Sequence, residues 1–204
     1  MWRRGTANSA RLFYNARELD TDYKGGDITV NKRLSGRWSM IAGASWGSVT
    51  QRTRGGLRSD PHVVNYFDDE TLASADRPWS YRLSGVCELP YGVSASGTWQ
   101  YQAGEPQDTT IVVTNQTIAL PQGNTTLRVR EFGDTRLPVV AGLDLSVRKT
   151  FRAGTRTLTP RIDFYNATNQ STVTAQITQL GPTFGRISGI QRARLIKVGM
   201  NLEF

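Results

Sequence analysis

Trp79-Ser80-Tyr81-Arg82-Leu83-Ser84-Gly85-Val86-Cys87-Glu88-Leu89, then Pro90-Tyr91-Gly92, then Val93-Ser94-Ala95-Ser96-Gly97-Thr98-Trp99-Gln100-Tyr101-Gln102: this stretch decides the fold. Successive side chains of a strand point to opposite faces. In the first arm Trp79, Tyr81, Leu83, Gly85, Cys87 and Leu89 share one face. Ser80, Arg82, Ser84, Val86 and Glu88 share the other, which holds both charges. Pro-Tyr-Gly is a tight-turn composition. In the second arm Val93, Ala95, Gly97, Trp99 and Tyr101 oppose Ser94, Ser96, Thr98, Gln100 and Gln102. The pattern predicts a β-hairpin with one apolar and one polar face.

The same period extends outward from this hairpin. In 24–34, Ile28, Val30 and Leu34 oppose Asp27, Thr29, Asn31 and Arg33. After the turn Ser35-Gly36-Arg37, Trp38, Met40, Ala42, Ala44 and Trp46 alternate with mostly small or polar residues through 49. In 139–151, Leu143, Leu145, Val147 and Phe151 oppose Asp144, Ser146, Arg148 and Thr150. In 157–167, Leu158, Ile162 and Phe164 oppose Thr159, Arg161, Asp163 and Tyr165, and the chain ends with Ile196, Val198, Met200, Leu202 and Phe204 against Lys197, Gly199, Asn201 and Glu203. Lys32 and Lys149 fall on apolar faces close to short turns, where an ammonium can snorkel to an interface. Pro160, which lacks a ladder donor, sits near a strand start. Apolar residues at three- and four-residue spacing are absent, so no helix is predicted.

The sequence holds 204 residues, with 25 Lys+Arg against 17 Asp+Glu, a formal charge of +8, one His and one Cys. The isoelectric point is near 10.1 and the mean hydropathy −0.42. No window of about 18 apolar residues exists to form a transmembrane helix. One cysteine excludes a disulfide scaffold or a Cys-rich zinc site. The basic residues are scattered; the densest groups, Arg52/Arg54/Arg58 and Arg186/Arg192/Arg194, follow no helical pattern, and no nucleic-acid partner is expected. Met1-Trp2-Arg3-Arg4 leads into no apolar stretch, so no export signal is expected in these residues.

An alternating sheet can turn its apolar face to a core or to lipid. Three features favour lipid. The turns at 35–37, 90–92 and 152–156 are short, whereas the connections at 50–78, 103–138 and about 168–191 are long, the alternation of an outer-membrane barrel. A compact soluble domain rarely carries three structureless loops of that size. The aromatics Trp38, Trp46, Trp79, Tyr81, Trp99, Tyr101, Phe151 and Phe204 fall near segment ends on the apolar face, as in interfacial girdles. The segments, about ten residues or slightly more, suit tilted strands crossing a bilayer. The expected fold is therefore all-β: an antiparallel up-and-down transmembrane β-barrel segment, a partial barrel of about eight to ten strands with long extracellular loops. A strand near 9–18 and a pair at 109–119 and 124–131, barrel strands or an extracellular hairpin, complete that count. Arg82, Glu88, Gln100, Asp144, Arg148, Arg161 and Asp163 would line the lumen, as contacts for a plug or ligand or as a hydrated ladder of cross-strand pairs.

Lys197-Val198-Gly199-Met200-Asn201-Leu202-Glu203-Phe204 resembles the outer-membrane β-signal, with Lys197, Gly199, Leu202 and Phe204 at its defining positions. Several further stretches share this likeness: Asn31-Lys32-Arg33-Leu34-Ser35-Gly36-Arg37-Trp38; Asp76-Arg77-Pro78-Trp79; Leu83-Ser84-Gly85; Glu88-Leu89-Pro90-Tyr91-Gly92; Leu143-Asp144-Leu145-Ser146; Lys149-Thr150-Phe151; Asp163-Phe164-Tyr165-Asn166; and Phe184-Gly185-Arg186-Ile187. By their order and spacing, residues 1–204 resemble the C-terminal barrel segment of a TonB-dependent outer-membrane receptor, of the Oar-like kind with a carboxypeptidase-regulatory-like domain. The resemblance implies a location in the cell outer membrane of a Gram-negative bacterium. It also implies a barrel of about 22 strands importing a scarce nutrient or peptide ligand. The implied partners are outer-membrane lipid, the barrel-assembly machinery, and TonB through a missing N-terminal part. Signal peptide, TonB box and plug are not recognisable, so a fragment inactive alone is expected.

Two other classes compete with this reading. A soluble all-β carbohydrate-binding module would use Trp46, Trp79 or Trp99 as stacking platforms. A barrel enzyme such as an outer-membrane hydrolase would need His62 to meet a Ser and an Asp. His62, near Asp60 and Asp68-Asp69-Glu70, matches no EF-hand spacing and reads as part of a solvated acidic loop. Cys87 reads as a small lipid-facing hydrophobe. The sequons at Asn115, Asn124, Asn166 and Asn169 read as chance products of an Asn- and Thr-rich chain. There is no phosphate loop, nucleophile elbow or supported carboxylate pair, so neither enzyme activity nor a cofactor or metal site is expected.

Overall fold

The computed structural model of the chain describes residues 21–54, 70–76, 78–114, 116, 124–130 and 133–204. Its centre is one antiparallel sheet in which chain order and spatial order coincide. β1 (Thr21–Ser35) pairs with β2 (Trp38–Arg54), β2 with β4 (Trp79–Leu89), β4 with β5 (Val93–Gln102), β5 with β8 (Val140–Lys149), β8 with β10 (Arg156–Tyr165), and β10 with β13 (Leu195–Glu203). β3 (Glu70–Asp76) prolongs the line of β4 along the far end of β2, and β9 (Phe151–Ala153) prolongs β8 along β10. Two small hairpins stand apart from the sheet: β6 (Thr110–Val113) with β7 (Thr125–Arg128), and β11 (Val173–Gln176) with β12 (Ile187–Ile190).

The short turns explain the joins at one end. Gly36 and Arg37 both have positive φ, 57° and 71°, the two-residue turn whose twist matches the strands it connects. At Pro90-Tyr91-Gly92, Gly92 has φ 72°, and a β-carbon there would lie 2.8 Å from the Thr150 carbonyl oxygen. The Thr150 N–H in turn donates to the Gly92 carbonyl at 2.8 Å. Thr150 thus leaves the ladder to hold the neighbouring turn, which is where β8 ends and β9 begins.

The strand pairings agree closely with the periodicity of the sequence. β4 and β5 have the expected bounds, and Leu83 pairs with Trp99, Arg82 with Gln100, and Glu88 with Ser94. The other segments shift at their ends, and 139–151 is broken at Thr150. The three long connections differ more. Each carries strand of its own: the outer part of β2 with β3, the β6–β7 pair, and the β11–β12 pair. They are not structureless: Thr110–Val113 pairs with Thr125–Arg128, and Val173–Gln176 with Ile187–Ile190, each within its own connection. Of the segments at 109–119 and 124–131, Thr110–Val113 and Thr125–Arg128 pair with each other outside the main sheet, so among the described residues seven strand positions make up that sheet. The segment near 9–18 lies outside the described residues.

Burial is inverted relative to a globular domain. Among the described residues no apolar side chain is buried, whereas Ser94, Gln107, Thr109, Asp163 and Asn166 are. The apolar face is open along its length: Leu83 is 40% exposed, Trp99 38% and Leu145 40%. Six antiparallel pairings separate β1 from β13, so these two edge strands run in the same direction. Among the described residues β1 and β13 do not pair, and the sheet is open.

Candidate functional site

The polar face is built from cross-strand rungs, since residues directly opposite in an antiparallel pair share a face. Arg82 faces Gln100, which faces Gly142. Ser84 faces Thr98, which faces Asp144. Ser96, Ser146, Asp163 and Lys197 form the next rung, and Glu88, Ser94, Arg148, Arg161 and Gly199 the one nearest the short turns. All seven residues expected to share the polar face are therefore brought onto one surface, in three of these rungs and at Asp163 of the fourth.

Side-chain hydrogen bonds run along the rungs. Ser146 Oγ donates to Asp163 Oδ1 at 2.6 Å, Ser84 and Thr98 hydroxyls meet at 3.1 Å, and Ser45 and Ser80 hydroxyls at 2.8 Å. Ser94 Oγ donates to Glu88 Oε1 at 3.3 Å, and Arg148 Nη2 lies 3.8 Å from the same oxygen. Arg161 Nε is 3.1 Å from Asp163 Oδ2. Asp163 is only 7% exposed; a carboxylate at that depth needs both partners, the hydroxyl and the guanidinium. Gly142 leaves room for the Gln100 side chain, whose Nε2 would lie 3.1 Å from a β-carbon there. Near the short turns the face opens into a concavity of about 1020 Å³ whose walls include Glu88, Arg148, Arg152, Arg161 and Glu203.

At the other end the long connections fasten to one another. Arg136 donates to Asp76 Oδ1 at 2.7 Å and to the Gly104 carbonyl at 2.7 Å, joining β3 to the segment after β5. Arg128 grips both oxygens of Asp108 at 2.7 and 2.9 Å, the bidentate form that gives Arg–carboxylate pairs their directionality. Gln176 Nε2 donates to Gln107 Oε1 at 2.7 Å, tying β11 to the same segment. Asn166, at φ 49° and 7% exposed, holds the return from β10. Its Nδ2 donates to the Gln170 and Arg192 carbonyls at 2.8 and 2.7 Å, its Oδ1 accepts from Gln170 N at 2.9 Å, and its own N–H reaches Asp144 Oδ1 at 2.8 Å. Asn169 Oδ1 accepts from Arg194 N at 3.0 Å. Periodicity does not flag this crown. The usable signal was Asn-Ala-Thr-Asn directly after a strand, since Asn tolerates left-handed backbone and bonds its neighbours.

The tryptophans proposed as platforms are not gathered in one groove. Trp46 and Trp79 line a recess of about 300 Å³ beneath the crown with Tyr23, Gln102, Glu105 and Arg136. Trp99 instead lines a shallow groove of about 450 Å³ on the apolar face with Trp38, Leu83, Leu143 and Leu145. The aromatics of the apolar face form two groups. At the crown end Trp79 lies 5.6 Å from Tyr81 and 5.2 Å from Tyr101, and Trp99 stacks on Tyr101 at 5.7 Å with 9° between planes. At the short-turn end Lys32 sits over Trp38 and Lys149 over Phe151. Between the two groups lies the rung of Met40, Gly85, Gly97 and Leu145, while Ala42 and Leu83 share the rung of Trp99.

Of the terminal motif, Lys197 and Gly199 pair with Asp163 and Arg161 on the polar face, and Leu202 pairs with Leu158 on the apolar face. Phe204 follows the last paired residue and is almost wholly exposed. His62, Asp60, Asp68 and Asp69 lie outside the described residues, while Glu70 begins β3. No group of three or more His, Cys, Asp or Glu suited to a metal ion occurs among the described residues. No helix of the described residues is long and apolar enough to cross a membrane, which says nothing of crossing by strands. No protein-family model, curated protein or solved structure matches the chain.

Proposed function

We propose that the chain is part of the wall of an outer-membrane β-barrel transporter of the TonB-dependent receptor kind, taking part in nutrient uptake only within a larger whole. One observation carries the proposal. Among the described residues nothing buries the apolar side chains of the sheet, while buried Ser94 and Asp163 lie on its hydrogen-bonded polar face. In water an uncovered apolar sheet of this breadth is a liability. Against acyl chains it is the favourable arrangement, with the polar rungs facing an aqueous interior.

The spacing of the aromatics supports the reading. Trp38 and Trp46 mark the two groups on β2 and stand eight residues apart, about 26 Å along a strand. At the usual tilt of such strands this becomes roughly 20 Å across the membrane, close to the apolar band of about 25 Å in outer-membrane barrels. The seven-strand count bears on completeness. An all-antiparallel barrel needs an even number, so closing this sheet calls for an odd number of further strands between β13 and β1. The crown, with its ion pairs and side-chain clasps, would then form the outer surface where a ligand is first met. A nutrient or peptide passing the wall would meet Arg82, Gln100 and the rungs below.

The test is refolding of the whole chain with and without detergent micelles, followed by far-ultraviolet circular dichroism. Strand signal that develops only with micelles supports the proposal. Equal strand signal and a monomeric state in plain buffer would instead support a soluble binding module, for which Tyr23, Trp46 and Trp79 around the crown recess are the residues to mutate.

A further inference from the structure

We propose that the short-turn end of the apolar face is a docking site for anionic phospholipid headgroups, with Lys149 and Arg156 each contacting a lipid phosphate and Lys32 as a fixed positive charge on the same rim. The inference rests on the bilayer reading above and adds to it a lipid preference and a place.

The register puts the three cations on the apolar face. Lys32 pairs with Met40, and Lys149 pairs with Val93, which shares its face with Leu89. Arg156 pairs with Ala153, one side-chain repeat from the Leu158–Phe151 pair. The acids of this end lie elsewhere: Glu88 pairs with Ser94 and Glu203 with Thr157, both on the polar face. Among the described residues the apolar face therefore carries three positive charges and no side-chain carboxylate at this rim. On β1 the far end of the same face holds Lys24 together with Asp22, one charge of each sign.

The local contacts separate the roles of the three. Lys32 is committed to the turn: its ammonium donates to the Ser35 carbonyl at 2.8 Å, Ser35 Oγ at 3.0 Å and the Trp38 carbonyl at 3.0 Å, and lies 3.8 Å from the Trp38 ring centre. It supplies field but few free donors. The Lys149 ammonium lies 4.8 Å from the Phe151 ring centre, and its side chain has no hydrogen-bond or ion-pair partner among the described residues. Neither does that of Arg156. Both are exposed and belong to adjoining strands of one hairpin. A cation seated on an aromatic ring at the border of an apolar band keeps its charge at headgroup depth while its stem stays in hydrocarbon. The register sets Lys149 and Arg156 four residues apart, about 13 Å along the strand, so each meets its own phosphodiester, the guanidinium by its fork and the ammonium as a point charge.

The test uses the whole chain folded in detergent micelles doped with fluorescent phosphatidylglycerol or fluorescent phosphatidylcholine, binding being read by energy transfer from tryptophan. The native chain should prefer phosphatidylglycerol, with about a fivefold contribution from each contacting cation, and the preference should fade in 1 M salt. Lys149→Gln with Arg156→Gln should abolish the preference, whereas Lys24→Gln should leave it intact. No preference in the native chain, or a preference that survives the double variant, would overturn the proposal. So would displacement of the lipid by millimolar inorganic phosphate at matched ionic strength, which would mark a small-anion site instead. These outcomes presuppose strand signal in micelles; its absence would overturn the bilayer reading first, so the two failures are distinguishable.

Discussion

Replacing Leu83 by Arg, beside a control in which Arg82 becomes Leu, tests the orientation of the sheet most directly. Leu83 pairs with Ala42, four residues from Trp38 and four from Trp46. It therefore sits midway between those two tryptophans, about 13 Å along the strand from either, with Trp99 opposite it on β5. An arginine at the midplane of a lipid-facing strand costs about 2–4 kcal/mol. At about 3 kcal/mol the folding equilibrium falls by two orders of magnitude. Arg82 points the other way, opposite Gly43 and Gln100, and takes part in no ion pair among the described residues. Its change to Leu should cost less than about 1 kcal/mol. In a water-facing sheet the ranking would disappear: Leu83 at 40% exposure would accept a charge within about 0.5 kcal/mol. The assay is urea-titrated folding into phosphatidylcholine vesicles, followed by tryptophan fluorescence at a common denaturant slope. Equal midpoints for the two variants, or a larger loss for Arg82→Leu, would refute the assignment of faces.

Three further outcomes follow from particular contacts. Gly104→Ala places a β-carbon 2.0 Å from the Leu137 carbonyl oxygen, so the crown must shift; a loss of about 1–3 kcal/mol should appear as faster proteolysis within 103–138, with the main sheet unaffected. Asn166→Ala removes three side-chain hydrogen bonds and leaves a non-glycine residue at positive φ; local opening should become easier by about 2–3 kcal/mol, read as faster amide exchange at Gln170. Phe204→Ala leaves every strand pairing in place and should be neutral for refolding in micelles, yet lower the amount assembled into outer membranes in cells; unchanged levels in both settings would remove the terminal aromatic from the assembly motif.

How much of this was legible in the sequence follows from period. A two-residue alternation leaves no freedom of face once strand is accepted, which is why Leu83, Trp99 and Leu143 and, on the other side, Arg82, Gln100, Asp144 and Asp163 could be assigned before any coordinates. Short turns fixed which strands are neighbours. The crown was hidden for the opposite reason. The strands of its two hairpins are four residues long, too short for a period to register, and its cohesion comes from distant partners such as Arg136 with Asp76, 60 residues apart. Asn166 and Asn169 read as sequons, and Asn166 also as part of a family-like stretch; their left-handed backbone gives them a structural task. The break at Thr150 was invisible too, because it depends on the Gly92 carbonyl of a different hairpin.

The shared heading of the two rim strands governs how copies of this protein can meet. Once several molecules are threaded into a bilayer the same way round, rotating one about the membrane normal never reverses a strand, so β1 and β13 of any neighbour always travel alongside in like sense. Lateral zippering of copies into an endless up-and-down ribbon is thereby forbidden within the membrane. In water no such bar exists, since a tumbling neighbour can arrive upside down. If the sheet spans a bilayer as proposed, antiparallel association through its edges is confined to the interval before insertion.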